Sequence, residues 1–350
     1  MSPISGMIAD RLSRKWLIVG SLFVWSTVTY LMGYADSFQE LYWLRALMGI
    51  SEALYIPSAL TLIADWHQGK SRSLAIGIHM TGLYVGQAVG GFGATIAATF
   101  SWHSTFHWFG IIGIAYSLIL MFALRENPAH NIKKTNIPIN NTEKKISLFS
   151  GLSVLFSTWA FWIILFYFAA PSLPGWATKN WLPTLFSETL NIPMSEAGPI
   201  STITIAVSSF IGVIVGGILS DRWVQKNIRG RVYTGAIGLG MTIPALMLLG
   251  FGESFMAVVG AGLLFGIGFG IFDTNNMPIL CQFISAKYRG TAYGIMNMTG
   301  VFAGAAVTEQ LGKWTDGGNL GIGFALLSIV VLAALLLQVY FLRPKTDNME

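Results

Sequence analysis

Gly6-Met-Ile-Ala-Asp10-Arg11-Leu-Ser-Arg14-Lys15 and Gly217-Ile-Leu-Ser-Asp221-Arg222-Trp-Val-Gln225-Lys226 are two copies of one pattern, one in each half of the chain. Each places an acid four residues after a glycine, a base directly after the acid, and a basic end. Each stands where an apolar run gives way to a charged loop. A second pair, Arg72-Ser-Leu-Ala75-Ile-Gly77 and Arg289-Gly-Thr-Ala292-Tyr-Gly294, follows in the same order. Matched motifs in the same order mean an internal duplication whose halves run parallel.

The surroundings of these loops set the class. The chain has 350 residues, 53% hydrophobic and only 11% charged. Soluble domains carry roughly 25% charged residues, so this chain cannot build a water-facing surface. The same numbers exclude intrinsic disorder, and a single cysteine, Cys281, excludes a disulfide scaffold. The expected class is an all-α polytopic membrane protein. Apolar runs bounded by charge predict ten spans: 16–34, 41–65, 73–98, 103–124, 148–186, 197–219, 232–252, 255–281, 291–310 and 321–342. Residues 148–186 are too many for one straight span. Pro171, Pro174 and Gly175 interrupt them, which predicts a kinked helix or one with a non-helical middle.

A net charge of +5 would suggest nucleic acid in a soluble protein. Here the bases fall in alternate loops, from Arg11, Arg14 and Lys15 through Arg222, Lys226, Arg229 and Arg231 to Arg343 and Lys345. That asymmetry makes those loops and the C-terminus cytoplasmic, in a multi-pass protein of the plasma (inner) membrane with no nucleic-acid partner. The basic, Asn-rich segment 125–147 separates two bundles, 1–124 and 148–342, and 343–350 forms a tail. Its lysines, Lys133, Lys134, Lys144 and Lys145, read as solvated linker that can also touch anionic lipid headgroups. The first eight residues are too short to span and lack the basic start of a signal peptide. They read as the tail of a helix that begins earlier.

The loop pattern at Gly6 to Lys15, with its weaker copy at Gly217, resembles the signature of the major facilitator superfamily. The resemblance implies a two-bundle fold of parallel six-helix repeats, joined here from the end of the second helix, so that the first helix and part of the second are missing. Arg45-Ala-Leu-Met-Gly49-Ile-Ser-Glu52-Ala is similar to the fourth helix of the anion–cation symporters, and Gly175-Trp176-Ala-Thr-Lys179-Asn180-Trp181-Leu182-Pro183 to their seventh. Members of that group move sugar acids and other organic anions.

Charges inside a membrane are costly and demand an account. Arg45 and Glu52 lie two turns apart on one helix face, with Gly49 between them. Arg45 can attract an anion while Glu52 takes and releases a proton. An intramembrane ion pair that locks helices is the other reading. In 73–98, His79 and Gln87 are polar groups that could face solute, or simply satisfy interhelical hydrogen bonds. The stripe Gly82, Gly86, Gly90 reads as close helix packing. Lys179 and Asn180 stand beside the expected helix break, where Lys179 could contact an anion or snorkel outward. Asn276 and Asn297 are candidate solute contacts. Asp273 follows the run Gly266-Ile-Gly268-Phe-Gly270 and falls, by helical rise, close to the cytoplasmic end of its span, where it would gate or cap. In the loops, Gly6, Asp10, Arg11, Arg14, Lys15, Gly217, Asp221 and Arg222 are candidate gating residues, with Arg14 and Lys15 also serving as topology anchors.

No Walker-type loop, HExxH or CxxC is present, so neither an enzyme nor a metal or cofactor site is expected. Together these features predict a monomeric secondary transporter for a small anionic organic solute, working by alternating access in symport with protons. A transporter-like sensor or scaffold, or an inactive transporter fragment, is the alternative.

Overall fold

A computed structural model describes residues 13–67, 70–126, 155–284 and 289–344, and among them it contains helices and no strands. Two compact units emerge: one takes 13–83 with 96–126, the other 84–95 with everything described from 155 onward. Eight stretches of the described residues are long and apolar enough to cross a membrane. The expected spans 73–98 and 291–310 are helical too, but richer in glycine and polar residues.

In the first unit, α1 (Arg14–Met32) packs against α2 (Phe38–Trp66) and α5 (Trp102–Ala123). Ser13 caps α1 by accepting from the Trp16 amide at 3.3 Å. At the start of α2, Ser37 accepts from the Glu40 amide at 3.2 Å and the Glu40 carboxylate accepts from the Asp36 amide at 2.9 Å. This reciprocal arrangement satisfies donors that a helix start leaves unpaired. α1 and α5 approach to backbone contact: a Cβ on Gly110 would lie 2.6 Å from the Tyr30 Cα. Lipid offers no hydrophobic drive to hold helices together, so such small-residue contacts carry much of the packing. The third expected span is two helices, α3 (Lys70–Gly90) and α4 (Gly93–Thr99).

The second unit contains α6 (Trp159–Leu190), α7 (Met194–Val224), α8 (Gly230–Phe251), α9 (Phe255–Asp273), α10 (Asn276–Phe283), α11 (Arg289–Asp316) and α12 (Leu320–Phe341). Its centre is fully buried Phe161, Tyr167, Phe186, Phe265, Phe272 and Phe324. α9 runs between α7 and α8. Cβ atoms added at Gly266 and Gly270 would strike α7, at Ser208 and Val213, while one at Gly268 would lie 2.6 Å from the Gly238 carbonyl of α8. The glycine run therefore lets two neighbours approach on opposite faces. Exposed Phe122, Met256 and Phe302 clothe the outside in apolar surface.

Three expectations are corrected. Of the two alternatives expected at Pro171, Pro174 and Gly175, the non-helical middle is ruled out: the helix is continuous for 32 residues, with Pro171, Pro174 and Pro183 inside it. Each proline removes a hydrogen bond, to the carbonyls of Tyr167, Ala170 and Lys179 in turn, without ending the helix. Packing of α6 on α7, α11 and α12 holds the rest. The break falls instead in the span expected at 255–281, between α9 and α10. There Asn275 donates its side-chain amide to the Ile271 carbonyl at 2.8 Å, competing with the backbone ladder. Pro278 has no N–H to offer the Thr274 carbonyl, so the helix stops and restarts. Finally, Gly82, Gly86 and Gly90 form no packing stripe among the described residues, since a Cβ on any of them meets none of those residues within 4 Å. The neighbouring Gly91 carries the close contact.

Candidate functional site

Each unit holds one polar site. In the first, Arg45 and Glu52 project from α2, both side chains exposed and the Arg45 charge acting on the Glu52 carboxylate. Among the described residues, nothing lies within 4 Å of a Cβ placed on Gly49 between them. One turn on, Tyr55 lies 6.1 Å from the His79 ring of α3. The His79 Nε2 is buried with no hydrogen-bond partner among the described residues. An unpaired ring nitrogen costs free energy unless a solute, water or proton fills the vacancy.

In the second unit, Lys179 and Thr178 of α6, Gln87 of α3, and Ser201 and Thr202 of α7 line a cavity of about 480 Å³. The Lys179 Nζ sits 5.0 Å above the Trp176 ring. Gly91 and Gly198 close the cavity by backbone contact, each Cβ position lying 2.8 Å from the other residue's carbonyl oxygen. Thr95 ties the same crossing by donating to the Ser195 carbonyl at 2.6 Å.

At the helix break a second acid comes into play. Asp273 closes α9 and accepts a 3.1 Å hydrogen bond from the Asn276 side chain. It stands within electrostatic range of Lys179, and of Tyr84, Tyr167 and Tyr293 from α3, α6 and α11. The Tyr167 ring packs edge-on against Phe272 at 5.1 Å, and its buried hydroxyl has no partner. The side-chain oxygens of Asn275 and Asn276 are likewise buried and unpartnered. α10 continues beyond the break, so Asp273 stands at a junction within the 255–283 stretch, with its side chain exposed.

The other candidates fall elsewhere. Asn180 donates to the Thr308 hydroxyl at 2.9 Å, and Trp181 to the Thr308 carbonyl at 3.1 Å, so this corner pins α6 to α11. Asn297 is half-buried on α11. In the loop motifs, Arg14 donates to the Thr61 carbonyl at 3.3 Å, and Glu126 accepts from the Ser13 hydroxyl at 2.5 Å and the Lys15 amide at 3.3 Å. Asp221 pairs with Arg231 at 3.8 Å, an exposed contact worth little alone. Arg222 is exposed. Gly217 makes only ordinary contact with Thr274, whereas Gly216 beside it abuts the Ile271 backbone. Gly6, Asp10 and Arg11 lie outside the described residues, as do the four linker lysines. The tyrosines at 84, 167 and 293 went unremarked in the sequence, where an aromatic inside a span carries no mark of its polar end.

Helices of this length around two polar sites, with duplicated loop motifs, define a membrane-transporter fold. Residues 1–308 match the family profile of the Major Facilitator Superfamily, and the chain belongs to that family. It is 26% identical over 94% of its length to a rice (Oryza sativa) protein described as "Probable anion transporter 3, chloroplastic", of which it covers 66%. It is 23% identical over 95% of its length to a "Probable sulfoacetate transporter" of Cupriavidus necator, covering 81% of that protein. The chain spans about two thirds of the length of the anion-transporter relatives it matches. The fold is similar to that of a bacterial homologue of the human lysosomal transporter Spinster in an inward-facing, occupied conformation. The TM-score is 0.75 at 18% identity, over 99% of this chain and 86% of that one.

Proposed function

We propose that the chain is a secondary transporter that moves a small organic anion by alternating access in symport with protons. The observation that carries this reading is the Arg45–Glu52 pair, both side chains exposed on one face of α2, with none of the described residues packed over the glycine between them. A fixed guanidinium attracts an anion and fits carboxylate or sulfonate geometry with paired donors. A carboxyl on the same face titrates in response: a solute anion that engages Arg45 withdraws the cation's support from the Glu52 carboxylate and favours its protonation. Proton uptake and anion binding are then linked through one helix face. His79, with its unpaired Nε2, adds a donor or acceptor to that side, and Lys179, Gln87, Asn276 and Asn297 supply polar contacts in the second unit. Glu52 is the coupling residue, and the loop motifs, with Asp221 and Arg231 in the second copy, break and remake contacts as access alternates.

Names of relatives that are anion transporters, one of them for sulfoacetate, support the substrate class. The basic cytoplasmic loops support a C-terminus inside the plasma (inner) membrane, with the protein working as a monomer. Solute uptake into liposomes, with and without an inward proton gradient, tests the reading. Uptake of sulfoacetate or D-gluconate stimulated by an acidic exterior is the expected result. Binding without flux would favour a sensor.

A further inference from the structure

The turn between α7 and α8 gathers more positive charge than one ion pair can answer. Residues 221–231 hold four bases, Arg222, Lys226, Arg229 and Arg231, against one acid, Asp221. Arg222 and Lys226 are exposed, and so is Arg343, two residues past the end of α12. The Asp221–Arg231 contact, at 3.8 Å and in the open, neutralises little of this. α8 starts at Gly230 with no acid in its first turn and no side-chain cap, although a helix start favours negative charge. Cations therefore stand where the backbone already presents a positive end.

Arg229 is held firmly among them. Its guanidinium lies 4.8 Å over the Tyr233 ring and donates to the Val339 carbonyl in the last turn of α12. Tyr233 in turn packs against Trp223 at 5.6 Å. Gly230 permits this fold-back, since a Cβ there would lie 2.5 Å from the Val224 amide nitrogen. The Ile228 carbonyl accepts from the Gln282 side chain of α10 at 3.0 Å, which ties the turn to the bundle. Next to Val339, Tyr340 and Phe341 are exposed. One corner of the second unit thus sets an oriented guanidinium and a field of bases beside bare aromatic surface.

We propose that this corner binds an anionic phospholipid, its phosphate on Arg229 and its acyl chains along Tyr340 and Phe341. The charge excess calls for an anion, and a guanidinium meets phosphate oxygens with paired donors. The exposed aromatic rings call for an apolar tail, and an acidic lipid carries both on one molecule. Trp223 and Tyr233 have the amphipathic rings that collect at headgroup level. Arg222, Lys226 and Arg231 raise the local potential and draw the headgroup in. A soluble phosphate would answer the cations and leave the aromatic surface bare. The site is separate from the transport reading and stands or falls without it.

Native mass spectrometry of the full chain, purified in detergent and mixed with equal amounts of dioleoylphosphatidylglycerol and dioleoylphosphatidylcholine, tests the assignment. Wild type should retain phosphatidylglycerol with several-fold preference. Arg229→Gln should lose most of that preference, and the double variant Arg222→Gln/Lys226→Gln should lose part of it. Lys313→Gln, at an exposed base paired with Glu309, should keep it in full. Equal retention of the two lipids by wild type would overturn the proposal, as would an undiminished preference in both the Arg229 and the double variant. Should Arg229→Gln fail to fold, the double variant decides alone. Phosphatidylglycerol should also raise the Tm of wild type by several degrees, whereas inorganic phosphate in large excess should not. Equal protection by inorganic phosphate would mark a site for a soluble anion and overturn the lipid assignment.

Discussion

Arg45–Glu52 and Lys179–Asp273 are both a cation and a carboxylate inside a helical membrane protein, and they are built in opposite ways. The first pair belongs to one helix, two turns apart, with an unobstructed glycine between the charges. Its geometry is fixed by helical rise, and it faces open space. The second pair is assembled from two helices, one of them ending at the acid, and sits among phenol and amide groups with unpartnered atoms. A pair on one helix cannot change its separation much, so it is suited to sensing a solute and proton that come to it. A cation and an acid on two helices change their separation whenever those helices move.

The largest expected effect breaks the first pair. Glu52→Gln should abolish gradient-driven uptake in liposomes while anion exchange across the same membrane survives. Loss of both activities together would make Glu52 structural. Next, Arg45→Ala should raise the half-saturating solute concentration about tenfold or more, the scale of losing one charge-assisted hydrogen bond, and Arg45→Lys should recover only part of it. Equal behaviour of the alanine and lysine variants would show that Arg45 contributes something other than charge.

Smaller effects distinguish close from open helix faces within the second unit. Gly238→Ala would push a methyl to 2.5 Å from the Gly268 carbonyl, a backbone atom that cannot step aside. It should destabilise by about 1–3 kcal/mol, read as a lowered Tm. Gly86→Ala meets nothing within 4 Å. It should leave Tm unchanged or raise stability by no more than about 1 kcal/mol, the gain of alanine over glycine in a helix. If Gly86→Ala proved as damaging as Gly238→Ala, the open face of α3 would be covered by something.

The same contrast explains what the sequence disclosed. The class, the helical spans and the family were legible because hydrophobic runs, loop charge and the duplicated Gly-x-x-x-Asp-Arg pattern are local signals. The Arg45–Glu52 pair was legible for the same reason, since both residues lie on one helix and spacing alone puts them on one face. The Lys179–Asp273 pair was not, because nothing in a linear pattern joins residues of different helices. Helix breaks were misplaced for a related reason. Pro171 and Pro174 look stronger than Pro278, but whether a proline breaks a helix depends on the packing around it and on local competitors such as the side-chain amide of Asn275, which only the packed structure reveals. Glycines misled in both directions: Gly82, Gly86 and Gly90 have helical spacing yet face nothing, while Gly91 and Gly198, far apart in sequence, close the second cavity.

Proton-linked uptake is the most direct test of the account. Purified wild type and Glu52→Gln are reconstituted in parallel into liposomes, and uptake of sulfoacetate and D-gluconate is followed with the exterior acidified and with no gradient. The account predicts that acidifying the exterior accelerates uptake by wild type and has no effect on Glu52→Gln. Uptake by wild type that is indifferent to the gradient would contradict it.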